Sequence, residues 1–133
     1  MTCAYQHICG GCRYRDLSYE EYCTLKKSEF LKVMSGLSLQ PTRYGKDIFI
    51  ADGQRRRASL TFVKDKQGLK LGFNAFHSNE VVDIATCTQL TSGLNQELLF
   101  IRTLLEKLLA EPFVRSKGRK KEQFFLKSGD VFL

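Results

Sequence analysis

Three cysteines crowd the first twelve residues of this chain, in the run Cys3-x5-Cys9-Gly10-Gly11-Cys12. Two residues between Cys9 and Cys12 let both sulfurs converge on one metal centre across a tight turn. Glycine at positions 10 and 11 admits positive φ and lets backbone approach inorganic sulfide closely. A closed thiolate site takes four ligands, so a fourth has to come from elsewhere in the fold. Cys87 can supply it, following Val81-Val82-Asp83-Ile84-Ala85-Thr86 at the end of an expected sheet. Closing such a site ties the N-terminal loop to that end of the sheet. Cys23, the fifth cysteine, falls on the apolar face of an expected helix and reads as a small core hydrophobe. Zinc competes for the same thiolates. Zinc ribbons, however, bring two close cysteine pairs, whereas one triplet and one remote singleton favour iron–sulfur. His7 lies inside the loop and reads as a solvated or capping side chain.

The cysteines also bear on compartment. No apolar run reaches the ~20 residues that span a bilayer, and the first residues lack a basic segment followed by an apolar one. A cytoplasmic address is expected, where clustered thiols serve metals or catalysis rather than disulfides. A chain of 133 residues fits one domain.

The formal net charge is +7, and its cations are clumped. Arg55, Arg56 and Arg57 are consecutive; Arg115, Lys117, Arg119, Lys120 and Lys121 form a second group, and Lys26, Lys27 and Lys32 a third. Such clusters attract polyanions, because each neutralised phosphate releases condensed counterions. Charged faces also serve plain solubility.

Periodicity outlines an α+β fold, an antiparallel sheet packed with two main helices behind the cysteine-rich loop. Ser18 with Glu21 three places on forms a capping box, and Tyr19, Tyr22, Cys23, Phe30, Val33, Met34 and Leu37 follow helical spacing up to a stop at Gly36. Asp47 to Ile50 reads as strand-like. Arg57 to Val63 alternates, Lys66-Gln67-Gly68 turns, and Leu69 to Phe76 returns as the second strand of a hairpin. His77-Ser78-Asn79 is a further turn, before the short apolar piece at Val81-Val82. A second helix is predicted over about 92–110, ended by Pro112. Gln123 to Lys127 reads as a strand and Ser128-Gly129-Asp130 as a hairpin turn. The chain then stops on Val131-Phe132-Leu133, which suggests that a further domain follows or that the chain was cut.

The succession of Cys-x5-Cys-Gly-Gly-Cys, Leu17-Ser18-Tyr19-Glu20, Arg55-Arg56-Arg57-Ala58, Gly72-Phe73 and Val82-Asp83-Ile84-x-x-Cys87 resembles the iron–sulfur-containing 5-methyluridine RNA methyltransferases. These act on large-subunit ribosomal RNA. The resemblance runs from Cys3 to about the end of the second helix. It implies a 4Fe–4S cluster on Cys3, Cys9, Cys12 and Cys87, with residues 1–17 as the cluster loop and 18–133 as a central RNA-recognition domain. It further implies covalent chemistry, in which a thiolate adds to uracil C6 and S-adenosylmethionine methylates C5. That work belongs to a separate S-adenosylmethionine-binding domain, whose glycine-rich loop has no counterpart here. The expectation is therefore an RNA-binding domain, not catalytic alone, acting on ribosomal RNA or tRNA as a monomer away from membranes. Where the family has a Tyr-Arg-Asn-Arg-like run, this chain has Gln54-Arg55-Arg56-Arg57.

The RNA-facing candidates are Arg55, Arg56, Arg57, Phe73 and His77. The arginines are expected at a strand start, with Arg55 and Arg57 on one face and Arg56 on the other. Phe73 and Phe76 could stack on unpaired bases or serve the core, and His77 could meet a phosphate. Asp83 is expected to hold the Cys87 loop through backbone hydrogen bonds. Two other classes compete. A ferredoxin-type electron carrier would usually be acidic, and a zinc-binding nucleic-acid module would be colourless.

Overall fold

The computed structural model describes residues 3–37 and 41–133. In chain order its elements are α1 (Tyr19–Ser35), β1 (Ser59–Asp65), β2 (Gly68–Asn74), β3 (Val81–Asp83), α2 (Ser92–Leu108), β4 (Phe113–Lys117), β5 (Lys120–Phe124) and β6 (Ser128–Phe132). The fold is α+β, as the periodicity indicated. Backbone contacts divide it into two compact units, Met1–Gly11 with Asp52–Leu133, and Cys12–Ala51. The boundary expected near residue 17 falls inside the second of these.

The first unit is built on an antiparallel sheet of order β3-β2-β1-β6. Its centre is the expected hairpin, in which Asp65 pairs with Gly68 across Lys66-Gln67. Gly68 sits at φ +124, where a side chain would strain the backbone. Alternation sends Leu60, Phe62 and Leu71 to one face, where they are buried with Val82, Ile84, Leu90, Leu98 and Leu109. Leu98 and Leu109 bring α2 and its C-terminal cap to this core. Lys64 reaches over from β1 to donate to the Leu109 carbonyl at 2.7 Å, placing a cation on the orphan carbonyls of the helix end.

The C-terminal segment departs from expectation. Ser128-Gly129-Asp130 is not a turn but the start of β6, which pairs with β1 from Ser128↔Val63 to Phe132↔Ser59. Turn-like composition misleads here because Gly129 is opposite Phe62, where a β-carbon would lie 2.8 Å from the ring. The glycine makes room for an aromatic ring rather than for a bend. Asp130 is likewise used in the ladder, accepting from the Thr61 hydroxyl at 2.9 Å. The expected strand at Gln123 to Lys127 lies earlier, as β5, and pairs with β4 to form a separate two-stranded sheet out of the basic cluster.

In the second unit, Ser18 caps α1 as read. Its hydroxyl accepts from the Glu21 N–H at 3.2 Å, and the Glu21 carboxylate accepts from the Ser18 N–H at 2.8 Å. These bonds hold the Glu21 carboxyl below its ordinary pKa. The expected apolar face does not become a core face: no residue of α1 is buried, and Val33 is 64% exposed. Cys23 is only half-buried, and its hydrogen bond to the Tyr19 hydroxyl one turn earlier raises that phenol's pKa. Asp47 to Ile50 forms no strand. Phe49 instead meets Tyr19 and Tyr22 edge-on at 6.3 Å, because a short apolar run without a neighbouring strand has no ladder to join. No helix here is long and apolar enough to cross a membrane, among the described residues.

Candidate functional site

The N-terminal loop docks on the sheet through its backbone. Cys9 bridges antiparallel to Ala75, the Gly10 N–H donates to the Asn74 carbonyl at 2.8 Å, and the Phe76 N–H donates to the Ile8 carbonyl at 3.3 Å. Gly10 is required by proximity: a β-carbon there would stand 2.8 Å from the Asn74 carbonyl oxygen. Gly11 lies against the Phe73 ring, 3.2 Å from a β-carbon position, and its N–H points to the Cys9 sulfur at 3.4 Å. Neither glycine has the positive φ that the sequence suggested. Both are there for close approach.

A second loop, 84–91, carries Cys87. The side chain of Asn95, in the first turns of α2, grips it: Oδ1 accepts from the Cys87 N–H at 2.8 Å, and Nδ2 donates to the carbonyls of Cys87, Leu90 and Thr91 at 3.1–3.3 Å. The loop's entry is fixed by Asp83 and Arg102. Asp83 accepts from the Leu71 N–H at 2.9 Å and from the Arg102 guanidinium at 2.6 Å, while the same guanidinium reaches the Ile84 carbonyl at 3.0 Å. Asp83, expected to hold the Cys87 loop through backbone hydrogen bonds, instead has the Leu71 N–H on β2 as its backbone partner. Arg102, which the sequence did not single out, is the side chain that reaches the loop at Ile84.

Tyr5 joins the two loops. Its hydroxyl accepts from the Ala85 N–H at 3.0 Å, two residues from Cys87, while its carbonyl accepts from the Cys9 N–H at 2.9 Å. Cys9 and Cys87 both pack, half-buried, against the core with Tyr5. Cys3 opens the same loop, its carbonyl accepting from the Gln6 N–H at 3.3 Å. Cys12 begins the other unit, three positions along the chain from Cys9. All five cysteines are half-buried thiols. Among the described residues, no three His, Cys, Asp or Glu side chains gather into a metal-holding group. His7 is exposed, with its ring 3.0 Å from the Gln6 amide. The loops bearing Cys3, Cys9 and Cys87 are tied together, but among the described residues their side chains are not gathered around one point.

The RNA candidates divide. Arg55, Arg56 and Arg57 are exposed but precede β1 rather than beginning it, so simple strand alternation does not sort their faces. Arg55 is pinned by its backbone, donating to the Gln89 carbonyl at 2.9 Å and accepting from the Thr91 N–H at 3.1 Å, just past Cys87. Phe73 and His77 do come together. With Gly10, Gly11, Ser59, Thr61, Asn74, Ala75 and Phe76 they line an open groove of about 320 Å³. Phe73 is half-buried against the core; Phe76 is 44% exposed, and its ring lies 6.1 Å from that of His77. His77 holds φ +49, a left-handed turn position just past β2. A polar groove with one exposed aromatic, an amide and an imidazole can stack a base and hydrogen-bond its edge. Sequence reasoning missed Tyr5, Asn74, Asn95 and Arg102. Only Asn95 left a trace, four residues beyond the Thr91 cap of α2.

No family model matches the chain. A 23S rRNA (uracil(1939)-C(5))-methyltransferase RlmD of Shewanella woodyi is 33% identical over 114 residues, covering 80% of this chain and 25% of the relative. The RlmD of Aliivibrio fischeri is 31% identical, with the same coverage of each chain. An uncharacterized RNA methyltransferase of Rhizobium meliloti is 31% identical over 107 residues, covering 79% of this chain and 26% of that protein. The chain spans about a quarter of the length of the curated relatives it matches.

Proposed function

We propose, on the premise that the chain belongs to the 23S rRNA uracil-C5-methyltransferase family, that it grips RNA for uracil methylation and holds an iron–sulfur cluster as an architectural clasp. The observation that carries this reading is Tyr5, which ties the loop of Cys3 and Cys9 to the loop of Cys87. Thiolates of Cys3, Cys9, Cys12 and Cys87 would hold the cluster. Bound there, it supplies structural cross-linking and a redox-capable iron centre. Methyl transfer to uracil has no net redox step, so the clasp function suffices. S-adenosylmethionine, and the residues that attack and deprotonate the base, are assigned to the whole enzyme rather than to this segment.

The chain's own residues then bind and orient the RNA. Phe76 offers a ring face to an unpaired base, Asn74 and His77 offer hydrogen bonds to its edge, and Phe73 backs the groove from the core side. Arg55, Arg56 and Arg57 stand where the chain leads into Ser59 on the groove wall, and supply phosphate contacts. Ribosomal RNA is the substrate the relatives' names support, and the cell's cytoplasm is where such a substrate would be met.

Anisotropy titration of a labelled single-stranded RNA tests the groove. Replacing Phe76 by Ala should weaken binding by about tenfold, the loss of one stacked base at ~1.4 kcal/mol. Equal affinities for Phe76→Ala, Asn74→Ala and the unaltered chain would rule out the groove as an RNA site.

A further inference from the structure

The basic cluster at 115–121 is folded into a hairpin that serves no core. Strands β4 and β5 pair from Phe113↔Phe124 to Lys117↔Lys120, and among the described residues neither makes backbone contact with any other helix or strand. Gly118 turns the tip at φ +63, so the tip residues Arg119, Lys120 and Lys121 are displayed at its end, all exposed. The hairpin's main internal contact is at its base, where the Phe113 and Phe124 rings stack at 5.9 Å. A two-stranded ribbon with so little packing is marginal in water, and cations crowded at its tip repel one another. One carboxylate, Glu122, lies among them, in register with Arg115 and so nearer the base. This leaves Arg119, Lys120 and Lys121 without a register partner of opposite charge.

We infer that the β4–β5 tip is an RNA-backbone grip, in which Arg119, Lys120 and Lys121 hold phosphates independently of the groove at 73–77. The inference rests on the RNA-binding reading above. Charge complementarity commits the occupant. Three clustered cations at the end of a narrow ribbon attract a polyanion, and the tip carries no apolar side chain that would suit a protein surface. Phosphate contacts carry no base identity, so the tip adds affinity without sequence preference.

The 133-residue chain, titrated with labelled single-stranded RNA at several salt concentrations, tests this. The triple variant Arg119→Gln/Lys120→Gln/Lys121→Gln should bind about tenfold or more weakly at low salt. Its log-affinity against log-salt slope should be shallower by about 2, at ~0.7 per single-strand phosphate contact. The loss should be alike for RNAs of different sequence. The charge-conserving Lys120→Arg/Lys121→Arg variant should bind as the unaltered chain does. If the unaltered chain binds RNA and the triple variant keeps both affinity and slope, the tip proposal is overturned and the RNA reading stands. If the unaltered chain fails to bind RNA even at low salt, both are overturned.

Discussion

Two side chains, Asn95 and Tyr5, determine whether the cysteine loops hold their places. Asn95 satisfies both backbone groups of Cys87 and two further carbonyls from one amide. Asn95→Ala strands a part-buried N–H and its partner carbonyls, at about 1–3 kcal/mol. The urea midpoint should fall accordingly, and Asn95→Asp, which keeps the acceptor for the Cys87 N–H but sets a carboxylate oxygen against three carbonyls, should lower it as well. Tyr5→Phe removes the acceptor of the Ala85 N–H. Its expected signature is local: faster hydrogen exchange at Ala85 and Cys9, with the sheet's slowest amides unchanged. Tyr5 could not be read from the sequence, and Asn95 left only its place after the Thr91 cap. An amide or a hydroxyl has dozens of possible partners, and nothing in local spacing records a contact 80 positions away. The cysteines drew attention in the sequence because thiol chemistry leaves few alternatives, and among the described residues no three of them gather. Of the two reasons the sequence offered for Gly10-Gly11, positive φ is absent, and the close approach is to Asn74 and Phe73.

Among the elements, those read best carried their signals locally. The capping box of α1, the Lys66-Gln67 turn and the stripe of α2 all depend on neighbours within a few residues. Where pairing partners are distant the reading slipped. Ser128 to Asp130 became a strand because β1 lay alongside it, and Asp47 to Ile50 did not because nothing did. Helix α1 has a correct cap and no buried side chain, so its stability leans on the cap. Ser18→Ala should cost about 1 kcal/mol, seen as lost helicity by far-UV circular dichroism, without moving the unfolding of the sheet. The pH dependence has the same origin. Because Glu21 titrates below its ordinary value, its contribution is present above the ordinary carboxylate pKa and is lost as pH falls through the lowered one. Helicity of α1 should therefore drop on acidification, and Glu21→Gln should flatten that profile.

At the scale of the whole molecule, a sheet with one apolar face carries two loops, and Tyr5 fastens them to each other. The N-terminal loop also lines the groove through Gly10 and Gly11, and the Cys87 loop pins the Arg55 backbone. The central claim is that four thiolates, including the remote Cys87, share one iron–sulfur cluster while Cys23 does not. The direct measurement is iron, acid-labile sulfide and zinc per chain after anaerobic reconstitution of the unaltered protein, Cys87→Ser and Cys23→Ser. The account expects a brown protein with about four irons and matching sulfide, kept by Cys23→Ser and lost by Cys87→Ser. A colourless protein holding zinc, or a full iron complement that survives the loss of Cys87, would contradict it.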